Sequence, residues 1–141
     1  MGKATVYNLR DFFKRIPGAG ALIADPLAEL DCKTVNDVSL VVIPTGVIKY
    51  AQTLIMRLTT ISGSGGTPKL SFGTNSPNFD NIVGSTTLTG LNTVDDIFVI
   101  SLAGTLKALK AGDDLHVKVT NVATFTTYKV AVAALGVTIP E

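Results

Sequence analysis

The sequence predicts an all-β protein: a jelly-roll-like antiparallel sandwich over residues 35–141, preceded by an N-terminal arm, residues 1–34, that contains a short helix. Three observations predict it. The first is the stretch Gly112-Asp113-Asp114-Leu115-His116-Val117-Lys118-Val119-Thr120, a Gly-Asp turn that opens into strict alternation. Successive side chains of a strand point to opposite faces, so Leu115, Val117 and Val119 face a core while His116, Lys118 and Thr120 face water. The second is punctuation. From about residue 35 short apolar runs follow one another, cut by Gly and Pro, at the spacing of a sandwich, barrel or jelly roll. The third is composition: Thr and Val are abundant and Glu is rare, which favours strands over helices.

In the arm, Leu9, Phe12, Phe13 and Ile16 fall at i, i+3, i+4 and i+7, one stripe of a short helix over residues 7–16. Asn8 suits the N-cap, and Pro17-Gly18 stops the helix. Arg10, Lys14 and Arg15 occupy the other side. A helix of about ten residues is marginal alone in water. Its stripe must therefore dock on its own domain, a neighbouring subunit or a larger surface. Residues 17–34, broken by Pro17, Gly18, Gly20 and Pro26, read as an extended connection with one helical turn near Leu27 to Leu30.

Strands are predicted near 37–43, 47–61, 68–73, 80–89, 95–102, 114–121 and 124–135, with loops at 62–66, 73–78 and 90–92. Residues 102–110 read as a short helix or an irregular crossing. The strand at 95–102 is apolar on both faces, through Ile97, Phe98, Val99, Ile100 and Leu102. The last strand sets Val130 and Val132 on one face and Ala131 and Ala133 on the other. Strands that are apolar on both sides need cover on both. A subunit interface lined by Phe98, Ile100 or Val132 would supply it; so would the arm folded over one sheet.

Charged residues are 16% of the 141, against roughly 25% in ordinary soluble domains, which implies surface covered by something. Twelve Lys and Arg against 11 Asp and Glu leave a net charge of +1, so neither nucleic acid nor an acidic membrane is an expected partner. No apolar run approaches the ~20 residues of a membrane span, and the charged N-terminus does not read as a signal peptide. A soluble protein made in a cytoplasm is expected.

The search for chemistry returns little. Cys32 and His116 are the single residues of their kinds and lie far apart, so no disulfide framework, metal cluster or Ser-His-Asp triad is predicted. No catalytic residue, metal or cofactor is expected. Cys32 reads as a buried structural thiol, and His116 as a solvated residue on a polar strand face. Asp95-Asp96 and Asp113-Asp114 each stand at the start of a strand, where Asp bonds turn backbone. A Ca²⁺ site built on Asp80 with Asn78 or Asn81 is the lesser reading there. Ser62-Gly63-Ser64-Gly65-Gly66 is a hairpin tip and not a phosphate loop, because Thr67-Pro68-Lys69-Leu70 opens a strand. Trp is absent, which weakens a carbohydrate platform and leaves Tyr50, Phe79, Phe125 and Tyr128 as its candidates.

The run from Ile61 through Ser62-Gly63-Ser64-Gly65-Gly66-Thr67-Pro68-Lys69-Leu70-Ser71-Phe72-Gly73-Thr74-Asn75-Ser76-Pro77, with the Phe79 to Leu91 stretch and the Ala111-Gly112-Asp113 turn, resembles the Gly/Ser/Thr-rich strands of small β-sandwich proteins on tailed-phage virions. The likeness covers about 80 residues in layout, and is greatest to capsid decoration (cement) proteins. The resemblance implies a non-enzymatic virion protein, commonly a homotrimer, that binds the major capsid protein on the outer shell. The arm, through Leu9, Phe12, Phe13 and Ile16, would face the capsid. The other expectation is a receptor- or carbohydrate-binding jelly-roll module of a tail fibre or spike, gripping a sugar with the loops at 63–66, 75–80 and 90–92. A fibre head usually follows a long shaft, which favours the cement reading.

Overall fold

Ten strands and no helix make up the described residues, 21–23, 28–102 and 107–141 of a computed structural model. They are β1 (Ala21–Leu22), β2 (Ala28–Asp31), β3 (Asp37–Val42), β4 (Val47–Ser62), β5 (Lys69–Gly73), β6 (Val83–Thr87), β7 (Ile97–Ser101), β8 (Lys107–Leu109), β9 (Asp114–Asn121) and β10 (Thr127–Pro140). They form two sheets, with every pairing antiparallel. Sheet A runs β1-β10-β4-β7, with β2 also beside β10 and β8 beside β4; sheet B runs β3-β9-β5-β6.

β4 and β10 are the long strands, 16 and 14 residues. They pair from Thr127 opposite Ser62 to Pro140 opposite Val47, with two register shifts. One shift falls at Leu135/Gly136, where a side chain on Gly136 would run into the Tyr50 carbonyl. Only a residue without Cβ lets the backbones approach so closely there.

The inward faces of both sheets close on one core. β4 contributes Leu54, Met56 and Leu58; β10 contributes Tyr128, Val130, Val132 and Ala134; β5 and β9 answer with Leu70, Phe72, Leu115, Val117 and Val119. Full burial of such a side chain contributes about 1.5–3 kcal/mol each, enough to hold short strands that would not persist alone.

Two sequence expectations change here. The helical turn near Leu27 to Leu30 is instead β2, paired with β10 from Leu30 opposite Val130 to Asp31 opposite Lys129. Leu30 and Cys32 are fully buried in the core, so the sandwich takes in strand residues ahead of position 35. In the crossing at 102–110, Lys107–Leu109 is a strand beside β4. The predicted helix with Leu9, Phe12, Phe13 and Ile16 lies outside the described residues.

Candidate functional site

Among the described residues, a connected group of polar side chains lies on the outer face of sheet B. On β9 the alternation drives Leu115, Val117 and Val119 inward and so turns Asp114, His116 and Lys118 outward. β3 lies beside β9, with Asp37 opposite Lys118 and Ser39 opposite His116. The result is a bridged imidazole: Nδ1 lies 2.6 Å from Asp37 Oδ2 and Nε2 lies 3.0 Å from Asp114 Oδ2. A carboxylate only accepts, so both contacts are hydrogen bonds when both ring nitrogens carry protons. Ser39 donates its hydroxyl to Asp114 as well. Burial works to raise the Asp114 carboxyl, but the Ser39 hydrogen bond and then the hydrogen bond and charge of His116 outweigh it and hold it below the usual 3.8.

The loop at 74–81 folds over this network. Phe79 stacks on His116, with ring centroids 4.1 Å apart and planes 5° from parallel. Its backbone is in the left-handed region at φ 47°, held by its N–H donating to the Asn75 carbonyl at 2.7 Å. Asn75 Oδ1 accepts from the N–H groups of Asp80 and Asn81, and Asn75 Nδ2 donates to Asp80 Oδ1. Lys118 Nζ reaches the Pro77 carbonyl at 2.9 Å. Gly73 lets the loop close: a Cβ there would meet Asn81 Oδ1, Asn75 Oδ1 and the Asp80 nitrogen. An open cleft of about 600 Å³ remains between the loop and β3, lined by Val35, Asp37, Pro77, Asp114, His116 and Lys118 among others.

His116 is thus not the solvated residue its strand face predicts: its side chain is 16% exposed. The expectation failed because alternation reports only which way a side chain leaves its own strand. The carboxylate from Asp37 and the ring from Phe79 arrive from distant sequence. Both ring nitrogens are taken by carboxylates and, among the described residues, no serine hydroxyl is shown bonded to the ring, so these residues are not arranged as a nucleophilic triad. Among the described residues no group of three or more His, Cys, Asp or Glu is placed to hold a metal ion. Asp80 Oδ1, Asn75 Oδ1 and Asn81 Oδ1 accept from the loop's own donors.

The Asp pairs divide their labour. Asp96 accepts from the N–H groups of Asn92 and Thr93, and Asp113 from that of Lys110, which is the expected turn chemistry. Asp95 instead pairs with Arg57 at 2.6 Å and Asp114 with His116. Cys32 is a buried free thiol, as expected; burial, with the Asp31 carboxylate beside it, pushes it up to about 12. Tyr128 is shifted upward too, by burial and then by Cys32 and Asp96, and its hydroxyl donates to the Leu91 carbonyl at 2.6 Å.

Sheet A has a different outer face. The register of β7 on β4 sets Phe98 opposite Met56 and Ile100 opposite Leu54, both toward the core. Ile97 and Val99 consequently point out, 59% and 54% exposed, beside Arg57 and Ile55. On β10, Ala131 and Ala133 share this outward side, alternating with core-facing Val130 and Val132. They are nearly closed to solvent, Ala133 at 3%. Further along, Val137 and Ile139 are exposed and pair with the half-buried Tyr50 and Ile48.

Of the expected interface residues, Val132 is therefore in the core at 1% exposure, and Phe98 and Ile100 face it. A partner meeting β7 would touch Ile97 and Val99. The arm residues Leu9, Phe12, Phe13 and Ile16 lie outside the described residues. The three loops expected to grip a sugar do not converge. Lys69 pairs with Asn121 and Gly73 with His116, which puts the 63–66 and 75–80 loops at opposite ends of β5. Of the four aromatic candidates, Phe125 and Tyr128 are buried, and Phe79 is 8% exposed beneath His116.

No family model matches the chain, and no curated protein matches it significantly. No helix among the described residues is long and apolar enough to cross a membrane.

Proposed function

We propose that this protein is a non-enzymatic virion subunit, a homotrimer that binds the major capsid protein on the outside of a phage head and stabilises the shell. The observation that carries the structural role is the contrast between the two outer faces. Sheet B satisfies its polar groups within the chain. Sheet A presents Ile97, Val99, Val137 and Ile139 to solvent, as a subunit does that is finished by its neighbours. The sparse charge, 16% of residues, agrees with a surface meant to be covered.

The phage assignment rests on the resemblance of the strands and loops between residues 61 and 91 to decoration proteins. The jelly-roll reading is supported by the path of the chain. Strands β2, β3 and β4 alternate between the sheets, β5 and β6 share sheet B, and β7, β9 and β10 alternate again. Such a path is the one expected of a double Greek key of eight strands in two four-stranded layers, with β1 and β8 as short additions.

The test is cosedimentation of the purified protein with shells assembled from the major capsid protein of the same genome. Saturable binding that raises the melting temperature of the shell is expected. Failure to sediment, or a genome that holds no capsid gene, overturns the reading. The Phe12→Ala, Phe13→Ala double variant is expected to lose shell binding while the sandwich keeps its melting temperature.

A further inference from the structure

We propose that the 74–81 loop is a pH-gated flap, latched onto sheet B by the doubly protonated imidazole of His116 and released when that ring loses a proton.

The loop is fastened chiefly to itself. Asn75 Oδ1 accepts from the N–H groups of Asp80 and Asn81, Asn75 Nδ2 donates to Asp80 Oδ1, and Asn81 exchanges two hydrogen bonds with Thr74. None of these bonds reaches the sheet, so they keep the loop's shape wherever it lies. Among the described residues, three polar or ring contacts tie it down: Phe79 stacked on His116, Lys118 Nζ donating to the Pro77 carbonyl at 2.9 Å, and the Ser71 hydroxyl donating to the Asn78 carbonyl at 3.4 Å. The last is long for a hydrogen bond. Phe79 is the main anchor. It is buried, and its φ of 47° puts a bulky residue in the left-handed region, which persists only where the surroundings hold it.

His116 holds that anchor in one charge state. Asp37 from β3 faces Nδ1 at 2.6 Å and Asp114 from β9 faces Nε2 at 3.0 Å. With both nitrogens protonated the ring donates to both carboxylates. Its charge then lies over the Phe79 face, where the ring quadrupole favours a cation. With one proton gone, either tautomer turns a lone pair on one carboxylate oxygen. The neutral ring has to part from one partner, and Phe79 rests on that ring. Burial works to raise the Asp114 carboxyl, but Ser39 and His116 hold it below 3.8, so it stays charged throughout. Of the other charged groups near the ring, Lys118 on β9 is bonded to Pro77 and Asp80 in the loop to Asn75; β5 sets Gly73 opposite His116 and brings no charge there. The closed loop favours the protonated ring, so closure is complete at low pH and is lost as pH rises, over the range of about pH 5 to 8 in which histidines change charge. Release uncovers the Phe79 ring beside the cleft that Val35, Asp37 and Pro77 line.

The experiment is NMR on the purified full chain, following the nuclear Overhauser effect between the Phe79 and His116 ring protons from about pH 5 to about pH 8. The closed-to-open ratio is expected to fall about tenfold or more, the scale of one charge-assisted hydrogen bond. Its midpoint is expected to coincide with that of the His116 ring's own chemical shift. The Phe125–Tyr128 ring contact in the core is the control and is expected to stay constant. In Asp37→Asn the amide can accept from a protonated Nδ1 or donate to a bare one, so this variant is expected to keep the stack at both ends of the range. A wild-type stack that persists at high pH overturns the proposal. So does a loss whose midpoint differs from that of His116, a loss shared by the core pair, or an Asp37→Asn variant that opens as the wild type does. The capsid reading is untouched by any of these results, since the test needs only the chain in solution.

Discussion

Sheet B turns Asp37, Ser39, Asp114, His116 and Lys118 outward and satisfies them with one another and with the 74–81 loop. Sheet A turns Ile55, Ile97, Val99, Val137 and Ile139 outward. The inward faces of the two sheets are alike, since both feed one core. The contrast lies in the other half of each alternation and is one of degree, since Val42 on β3 is also 59% exposed. A polar outer face can be completed by hydrogen bonds within the chain, because donors and acceptors are local and directional. An apolar outer face has no such remedy: burial against something else is the only favourable end for it. One sheet completes its outer polar groups within the chain, and the other leaves apolar side chains in solvent.

The largest effect that can break this comparison comes from charging the closed part of sheet A. Ala133 is 3% exposed on the outward side of β10, opposite Ile55. Ala133→Asp is expected to cost about 3 kcal/mol or more, because a carboxylate is taken out of water without a partner. Val42→Lys on sheet B, at an exposed position opposite Asp114, is expected to stay within about 0.5 kcal/mol of wild type. Urea unfolding of both variants measures the difference, and equal losses would abolish the distinction between the faces.

Next in size is the bridged imidazole. His116→Ala removes the imidazole from Asp37, leaves Asp114 with the Ser39 hydroxyl as its donor, and leaves Phe79 without its stacking partner. A loss of about 1–2 kcal/mol is expected, at the scale of partly exposed charged hydrogen bonds. Thermal unfolding checks it. An unchanged melting temperature would mean that the outer network of sheet B contributes nothing to stability.

The acid side of the pH profile sharpens the same point. The Asp114 carboxyl is held below 3.8 in the folded protein. A depressed folded value contributes stability that is fully present above the unfolded value and is lost as pH falls through the folded one. The gap in melting temperature between wild type and Asp114→Asn is therefore expected to be widest at pH 5 to 7 and to shrink below about pH 4. A gap that is constant down to about pH 2 would remove Asp114 from the network.

The smallest effect belongs to the exposed patch itself. Val99→Thr keeps β-branching and changes a side chain that is 54% exposed. In dilute monomer it is expected to move stability by no more than about 0.5 kcal/mol. A larger loss, measured at nanomolar concentration by fluorescence, would show that Val99 is already packed within its own chain.

β9 shows how far local pattern reaches. Asp113 caps its own turn, and strict alternation sends Leu115, Val117 and Val119 inward, because turn chemistry and a two-residue period are properties of a few neighbouring residues. The lone buried Cys32 is legible for a similar reason, since a small apolar side chain among apolar neighbours has one stable place. The position of most strands, and the antiparallel two-sheet class, follow from such local signals summed along the chain.

Everything that depends on a neighbour in space was decided by the tertiary structure. β2 is four residues that read equally well as a helical turn, and pairing with β10 makes them a strand. His116 shows its face in the sequence but not its partners, because Asp37 and Phe79 reach it through sheet order and a loop closure. β7 is the clearest case. Ile97, Phe98, Val99 and Ile100 are apolar in succession, so their pattern has a period but no phase, and the sequence alone names no outward side. The register that sets Phe98 opposite Met56 supplies the phase: it sends Phe98 and Ile100 into the core and leaves Ile97 and Val99 facing out.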